Sequence, residues 1–301
     1  MAVDYVDIFM KSEVAQKGSL LSIMALIVLT SFRIMPIIAL APFFGARVLP
    51  HPTKVVFSLI LVVAVMPKIL MATTVPLGFN VDLILLGLKE MFIGLVMGFF
   101  LGLPFLIVTS AGVFIDHQRG AASLMVNDPT IQNQSSPIGT VYNLVLIAIF
   151  YSIDGPFFVL DAVLDSFQIV PPDQYLNPQF FAPNTFMKEK IIKCLQVFAV
   201  MALQLSAPSL IAMLMTDTFL GVINRLAPQV QIYFLGIGLK SWLACLMVCI
   251  GWFYFCDLLK KESIDWLKDF LEMIPAFNTG NPPVIPAPIP PLHEVPFTPT
   301  P

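Results

Sequence analysis

Charge is what this 301-residue chain has least of. Only 12% of its residues are charged, against about 25% in a soluble globular domain. With 57% hydrophobic residues and a mean hydropathy of +0.87, the deficit excludes an ordinary soluble domain and places the chain among integral membrane proteins. The basic residues are scattered and the net charge is −3, so no nucleic-acid surface is expected. His51, His117 and His293 lie far in sequence from Cys194, Cys245, Cys249 and Cys256. Cys245 and Cys249 are one helical turn apart, a spacing that permits metal ligation, but no neighbouring His completes a site. The cysteines are expected to pack as small buried hydrophobes, and no disulfide framework is indicated. The chain also lacks a G-x-S-x-G elbow, a P-loop, an H-E-x-x-H pair and any repeat of fixed period. No catalytic residue, metal or cofactor is expected. Before position 18, Asp4, Asp7 and Glu13 stand against Lys11 and Lys17, which is not the basic opening of a secretory signal. The apolar run that follows is too long for a signal core and reads as a retained first span.

Long apolar runs dominate the rest. Six approach or exceed the roughly 20 residues of a membrane span, at about 19–44, 54–73, 82–109, 139–165, 190–220 and 231–257. Several fit a plain bilayer helix badly. From Lys190 to Val222 a straight helix would be roughly 50 Å long, against a hydrocarbon core of about 30 Å. Pro36, Pro42, Pro104, Pro156 and Pro208 fall inside runs, where proline kinks or breaks a helix. The expected fold is therefore all-α and polytopic, with about six hydrophobic segments, several of them bent or broken hairpins. Broken backbone at membrane depth must be sheltered by protein or water, which suggests packing within an assembly.

Four regions follow. Residues 1–18 form an N-terminal segment and 19–257 the membrane helical domain. Within the latter, 110–138 reads as a longer amphipathic and polar connection, 166–189 as a Pro, Asn, Gln and Phe-rich loop, and 223–230 as a short polar turn. Residues 258–274 alternate Lys260, Lys261 and Lys268 with Glu262, Asp265 and Asp269, an amphipathic helix for a membrane surface or a partner. From Pro275 onward ten prolines predict an extended or disordered tail. With six crossings the basic residues place that tail in the cytoplasm; re-entrant hairpins would void the count for the N-terminus.

Charges within apolar runs are costly and mark polar interiors or paths. Arg33 lies more than ten residues into the first run. It is either a pathway or inter-subunit charge, or half of a structural pair with a buried carboxylate. Lys89 and Glu90 are adjacent, about 100° apart on a helix, so each is expected to find its partner elsewhere, on another subunit or among Asp116, Asp217 and Lys240. Gly94, Gly98 and Gly102 line one helix face and let another helix approach closely. Asp217, Gly221 and Arg225 also recur at intervals of four, a stripe suited to fixing a hairpin end. Asp161 and Asp165, one turn apart, are either an acid–base pair or a solvated helix end, the latter being the default.

Taken in order, these residues resemble the SctT/FliR family, the T-type subunits of the type III secretion export apparatus. The likeness runs from about 19 to 257. It begins with Arg33, Pro36 and Ala41-Pro42-Phe43-Phe44-Gly45, then Lys89-Glu90 with Gly94 and Gly98. Gly112, Ile115-Asp116, Gln118-Arg119-Gly120, Asp128-Pro129 and Ser135-Ser136-Pro137-Ile138-Gly139 follow. Asp154-Gly155, Ser166-Phe167, Pro171, Ala207-Pro208, Asp217, Gly221, Arg225, Ala227-Pro228-Gln229 and Lys240 complete it. Any one is weak; their order and spacing are specific. Flagellar members typically carry His after Asp-Gly, where this chain has Pro156. That, with the Lys-Glu, Gln-Arg-Gly and Ser-Ser-Pro pieces, resembles the injectisome branch.

The resemblance implies one T subunit assembled with several R-type and S-type subunits into a cone-like gate in the bacterial inner membrane, raised partly toward the periplasm. A U-type switch subunit packs beneath, and unfolded secreted proteins pass through. It implies a structural protein, with assembly or gate roles for Arg33, Lys89, Glu90, Asp116, Gln118, Arg119, Asp128, Asp217, Arg225, Gln229 and Lys240. A flagellar gate subunit is the alternative within the family. A small-solute secondary transporter, which would also have broken helices and midplane charges, is the alternative outside it.

Overall fold

The computed structural model describes residues 20–45, 50–73, 77–78, 80–120, 136–176, 186–226 and 232–279, and every regular element among them is helical. Eight α-helices follow in chain order. They are α1 (Leu20–Leu40, then a 3-10 turn at Pro42–Phe44), α2 (His51–Ala72), α3 (Val81–Gln118) and α4 (Pro137–Ser152). Then come α5 (Gly155–Ile169), α6 (Phe186–Leu226), α7 (Ile232–Ile250) and α8 (Trp252–Thr279). Helices α1, α2, α3 and α6 are each long and apolar enough to cross a membrane. The pairs α4–α5 and α7–α8, each bent by more than 40° at a short break, raise the number to as many as six.

Interior prolines do not end the helices that carry them. Pro104 and Pro208, expected to kink or break a helix, do not end one: α3 and α6 continue for 38 and 41 residues through both positions. At Pro104 the reason is visible. Proline has no N–H, so the carbonyl one turn earlier, at Phe100, loses its helical partner. The Trp266 indole N–H donates to that oxygen at 2.9 Å, supplying the hydrogen bond that lipid cannot. The breaks fall elsewhere. Asp154 takes a left-handed backbone, φ 56°, and Pro156 sits in the first turn of α5, where a missing N–H costs nothing. The other lies at Gly251, between α7 and α8. The polar connection expected at 110–138 is shorter than the sequence suggested, because α3 stays helical to Gln118. Similarly, α8 continues past Pro275 to Thr279; the rest of the proline-rich tail, like residues 1–18, lies outside the described residues.

The chain divides into two compact units. The first comprises residues up to 102, 151–192 and those from 265 on. In it α2 packs against both α1 and α5, around a core that includes Leu29, Ile37, Ile69, Met97 and Phe167. Leu267, Phe270, Ile274 and Phe277 of α8 are buried at helical spacing, which gives that helix one apolar face. The second unit comprises 103–150 and 193–264. Phe105 meets Phe150 edge-on with ring centroids 5.8 Å apart, and Tyr142 lies 4.1 Å from Phe255. At Gly112 and Gly139 the backbones of α3 and α4 approach so closely that a Cβ on Gly112 would overlap Gly139.

Candidate functional site

In the first unit three helices converge on one buried ionic cluster. Arg33 of α1 and Glu90 of α3 are both fully buried and form a bidentate pair, Nε to Oε2 at 2.5 Å and Nη2 to Oε1 at 2.8 Å. Two oxygens facing two parallel N–H groups is the strongest geometry such a pair has. Two of the three remaining guanidinium N–H groups are also used: Nη1 donates to Ser166 Oγ at 3.1 Å and Nη2 to the Val170 carbonyl at 2.8 Å. The guanidinium carbon stands 4.1 Å over the Phe167 ring, adding a cation–π contact. Arg33 is thus paired with a buried carboxylate of its own chain.

Lys89 corrects a sequence argument. Its Nζ lies 2.6 Å from Oε1 of its own neighbour, Glu90. A 100° offset separates the two Cβ directions, but Lys has four methylenes and Glu two, and the long stem bends back. Lys89 also donates to the carbonyls of Pro171 (2.9 Å), Pro172 (3.4 Å) and Gln174 (2.8 Å), tying the stretch after α5 to α3. Two cations face one carboxylate, and Asp173 lies within electrostatic reach of Lys89, so the cluster's charges sum to zero. None of the suggested partners Asp116, Asp217 and Lys240 takes part.

The glycine face of α3 explains how Arg33 reaches Glu90. A Cβ on Gly94 would overlap the Arg33 carbonyl oxygen itself. One on Gly98 would stand 3.0 Å from the Pro36 carbonyl oxygen, and one on Gly102 3.4 Å from that of Leu40. The three glycines let α1 lie against α3, backbone on backbone, over the length of the cluster.

A second cluster lies in the other unit, at the C-terminal end of α3. Asp116 Oδ1 pairs with Arg119 Nε at 2.7 Å, one turn along the helix. Its Oδ2 accepts the Ile138 N–H at 3.0 Å and the Ser136 hydroxyl. Ser136 Oγ in turn accepts the Gly139 N–H at 2.9 Å, the usual N-cap bond. Asp116 and Ser136 together satisfy two orphan donors at the start of α4. Nearby in the same unit, Asp217 of α6 pairs with Lys240 of α7 and accepts a 3.3 Å hydrogen bond from Gln118 Nε2.

The eleven polar positions read from sequence therefore sort unevenly. Arg33, Lys89 and Glu90 form one cluster, Asp116 with Arg119 a second, and Gln118, Asp217 and Lys240 a third. Arg225 is exposed, with no ion pair among the described residues. Asp128 and Gln229 lie outside the described residues. Sequence reasoning missed the supporting residues Phe167, Val170 and Gln174, although Ser166-Phe167 and Pro171 were pieces of the family pattern. It also missed Lys190, which pairs with Asp269 at 2.6 Å and Glu272 at 3.3 Å. Two acids one turn apart on an amphipathic helix were the available signal. The cysteines need correction too: Cys194 is buried, but Cys245 and Cys249 are exposed on α7. Among the described residues no group of His, Cys, Asp and Glu is placed to hold a metal.

Long apolar helices, proline-pierced spans and charges neutralised inside the fold define a multi-pass membrane protein with a buried ionic core. The chain belongs to the bacterial export proteins, family 1, whose family model matches residues 24–264. It is 28% identical over 228 residues to the surface presentation of antigens protein SpaR of Shigella flexneri, covering 74% of this chain and 84% of that protein. To Yop proteins translocation protein T of Yersinia pestis it is 33% identical over 168 residues, covering 56% and 62%. To the flagellar biosynthetic protein FliR of Escherichia coli it is 25% identical over 248 residues, covering 81% and 91%. The SctT/FliR likeness is borne out, and the chain is a membrane component of a multi-subunit protein-export apparatus.

Proposed function

We propose that this chain is the single T-type subunit of an injectisome export gate in the bacterial inner membrane. It assembles with R-type and S-type subunits, meets a U-type switch subunit, and forms part of the path for unfolded secreted proteins. The role is structural rather than catalytic. The observation that carries this reading is the family match across 24–264, with secretion proteins such as SpaR and the Yop translocation protein T among its relatives. Pro156 after Asp154-Gly155 favours the injectisome over the flagellar branch. A solute transporter would be expected to work alone or as a symmetric oligomer, which family membership disfavours.

In this reading the ionic clusters act from within. Arg33, Lys89 and Glu90 hold the first unit in the shape its neighbours require. Asp116, Gln118, Arg119, Asp217 and Lys240 hold the end of α3 against α4, α6 and α7, and Asp128 and Gln229 are proposed to serve assembly as well. Arg225, exposed, is the direct contact to another subunit. The C-terminal tail lies in the cytoplasm.

The test is gentle purification of the tagged chain from its native host, with native mass spectrometry of the complex. One copy of this chain beside several R-type and S-type copies is expected. Recovery as a free monomer or a symmetric homo-oligomer sinks the proposal. Arg225→Ala is expected to abolish co-purification and secretion while the isolated chain keeps its stability.

A further inference from the structure

A cavity of about 330 Å³ opens in the first unit, between α1, α2 and α5. Its lining includes Ile34, Leu61, Ala64, Met71 and Val163, and the one charged residue in it is Lys68. Along α2 the lining runs from Leu61 to Met71, a rise of about 15 Å, the length of a medium alkyl chain. Ala64, Lys68 and Met71 are exposed, so the cavity is open along this edge of α2. Lys68 lies four residues before the end of α2, where a span leaves the hydrocarbon.

The mouth is not simply basic. Asp161 and Asp165 are exposed, one turn apart on α5, and flank the lining residues Leu160 and Leu164. Asp165 lies within electrostatic reach of both Lys68 and Asp161. The apolar slot thus has one cation in its lining and, next to that lining on α5, two carboxylates of which Asp165 is within reach of the cation. A solely anionic headgroup would satisfy Lys68 and be repelled by the aspartates. A choline headgroup carries an ammonium that cannot donate a hydrogen bond. A primary ammonium two carbons from a phosphate diester complements both signs and donates three hydrogen bonds.

We propose that this cavity is a lipid site: it takes one acyl chain of an ethanolamine phospholipid, whose phosphate meets Lys68 and whose ammonium meets Asp161 and Asp165. The inference does not depend on which secretion system the protein serves.

The test uses the purified full chain, stripped of lipid and offered dioleoyl phosphatidylethanolamine, phosphatidylcholine and phosphatidylglycerol at equal concentration under native mass spectrometry. Retention of the ethanolamine lipid is expected to exceed the others by roughly threefold to tenfold, the yield of two part-exposed ion pairs. Asp161→Asn with Asp165→Asn removes the preference over phosphatidylglycerol. Ala64→Trp fills the slot and lowers retention of all three. Equal retention of the three lipids by the unaltered chain overturns the proposal. So does an ethanolamine preference that survives the double Asn variant. The Asn substitutions alter only exposed side chains and decide the matter alone if Ala64→Trp does not fold.

Discussion

Helices α3 and α6 look alike on paper. Each is about 40 residues of mostly apolar sequence with one interior proline. Each would be roughly 60 Å long, twice the hydrocarbon thickness. Yet within an 18-residue apolar stretch of each, 61% of the α3 residues are buried within the chain against 22% of the α6 residues. Hydropathy alone does not say which is buried, because a helix wrapped by its own chain and one facing lipid or a neighbour can both be apolar enough to cross a membrane. Two other features do. Helix α3 carries Lys89 and Glu90 well inside its length, whereas α6 has no charge between Lys193 and Asp217. Helix α3 also presents Gly94, Gly98 and Gly102 to the α1 backbone, whereas a Cβ on Gly221 of α6 would meet nothing within 4 Å. One helix is the chain's own spine; the other is a surface.

The largest effect that would break this contrast is expected at the ionic cluster. Glu90→Leu leaves the Arg33 guanidinium buried without its carboxylate, a loss of about 3–5 kcal/mol. The double variant Arg33→Met with Glu90→Leu should recover much of it, since well-packed apolar groups often replace a buried pair at little cost. Thermal unfolding of the purified protein in detergent reads both. A double variant as unstable as the single one would mean that the charges, not the burial of a lone ion, hold the helices.

Next in size is the glycine contrast. Gly94→Leu forces α1 off α3 and should cost about 1–3 kcal/mol or more, while Gly221→Leu should stay within about 0.5 kcal/mol in the isolated chain. Equal losses by the same unfolding measurement would remove the distinction between the two helices. Slightly smaller is Trp266→Phe, which keeps the ring but leaves the Phe100 carbonyl without a donor, at about 1–3 kcal/mol. Hydrogen exchange of the amides around Pro104 should then accelerate, and unchanged protection there would show that the carbonyl has another donor.

These cases also show what could be read without coordinates. The six apolar segments, their all-helical character and the residues of the family pattern were legible, because each is a local property of the chain. The pairing of Arg33 with Glu90 was not, since 57 residues separate them and Lys240 looked equally eligible to meet Glu90. Lys89 was misread for the opposite reason. Backbone direction excluded its neighbour, and side-chain length readmitted it. That the helix continues through Pro104 was not legible, because the donor to the Phe100 carbonyl, Trp266, lies 166 residues from Phe100. No window on the sequence contains both.

The smallest effect on the chain alone is expected on the exposed face of α6, and it is the one that ties the contrast to assembly. Leu203 and Ile211 are 54% and 60% exposed, though both lie in a helix that a membrane protein must shelter from water. Truncating each to Ala removes surface that nothing in the chain covers, so stability of the isolated protein should change by no more than about 0.5 kcal/mol. If a neighbouring subunit covers this face, the same substitutions remove packing at an interface with no hydrophobic driving force in reserve, because lipid tails are as apolar as the side chains they replace. Association there rests on shape, and loss of two large side chains should show as reduced co-purification with the other apparatus subunits. Unchanged co-purification would assign the face to lipid. A loss of stability in the isolated chain comparable with Glu90→Leu would mean that α6 is a second internal spine, and that the difference from α3 is one of degree.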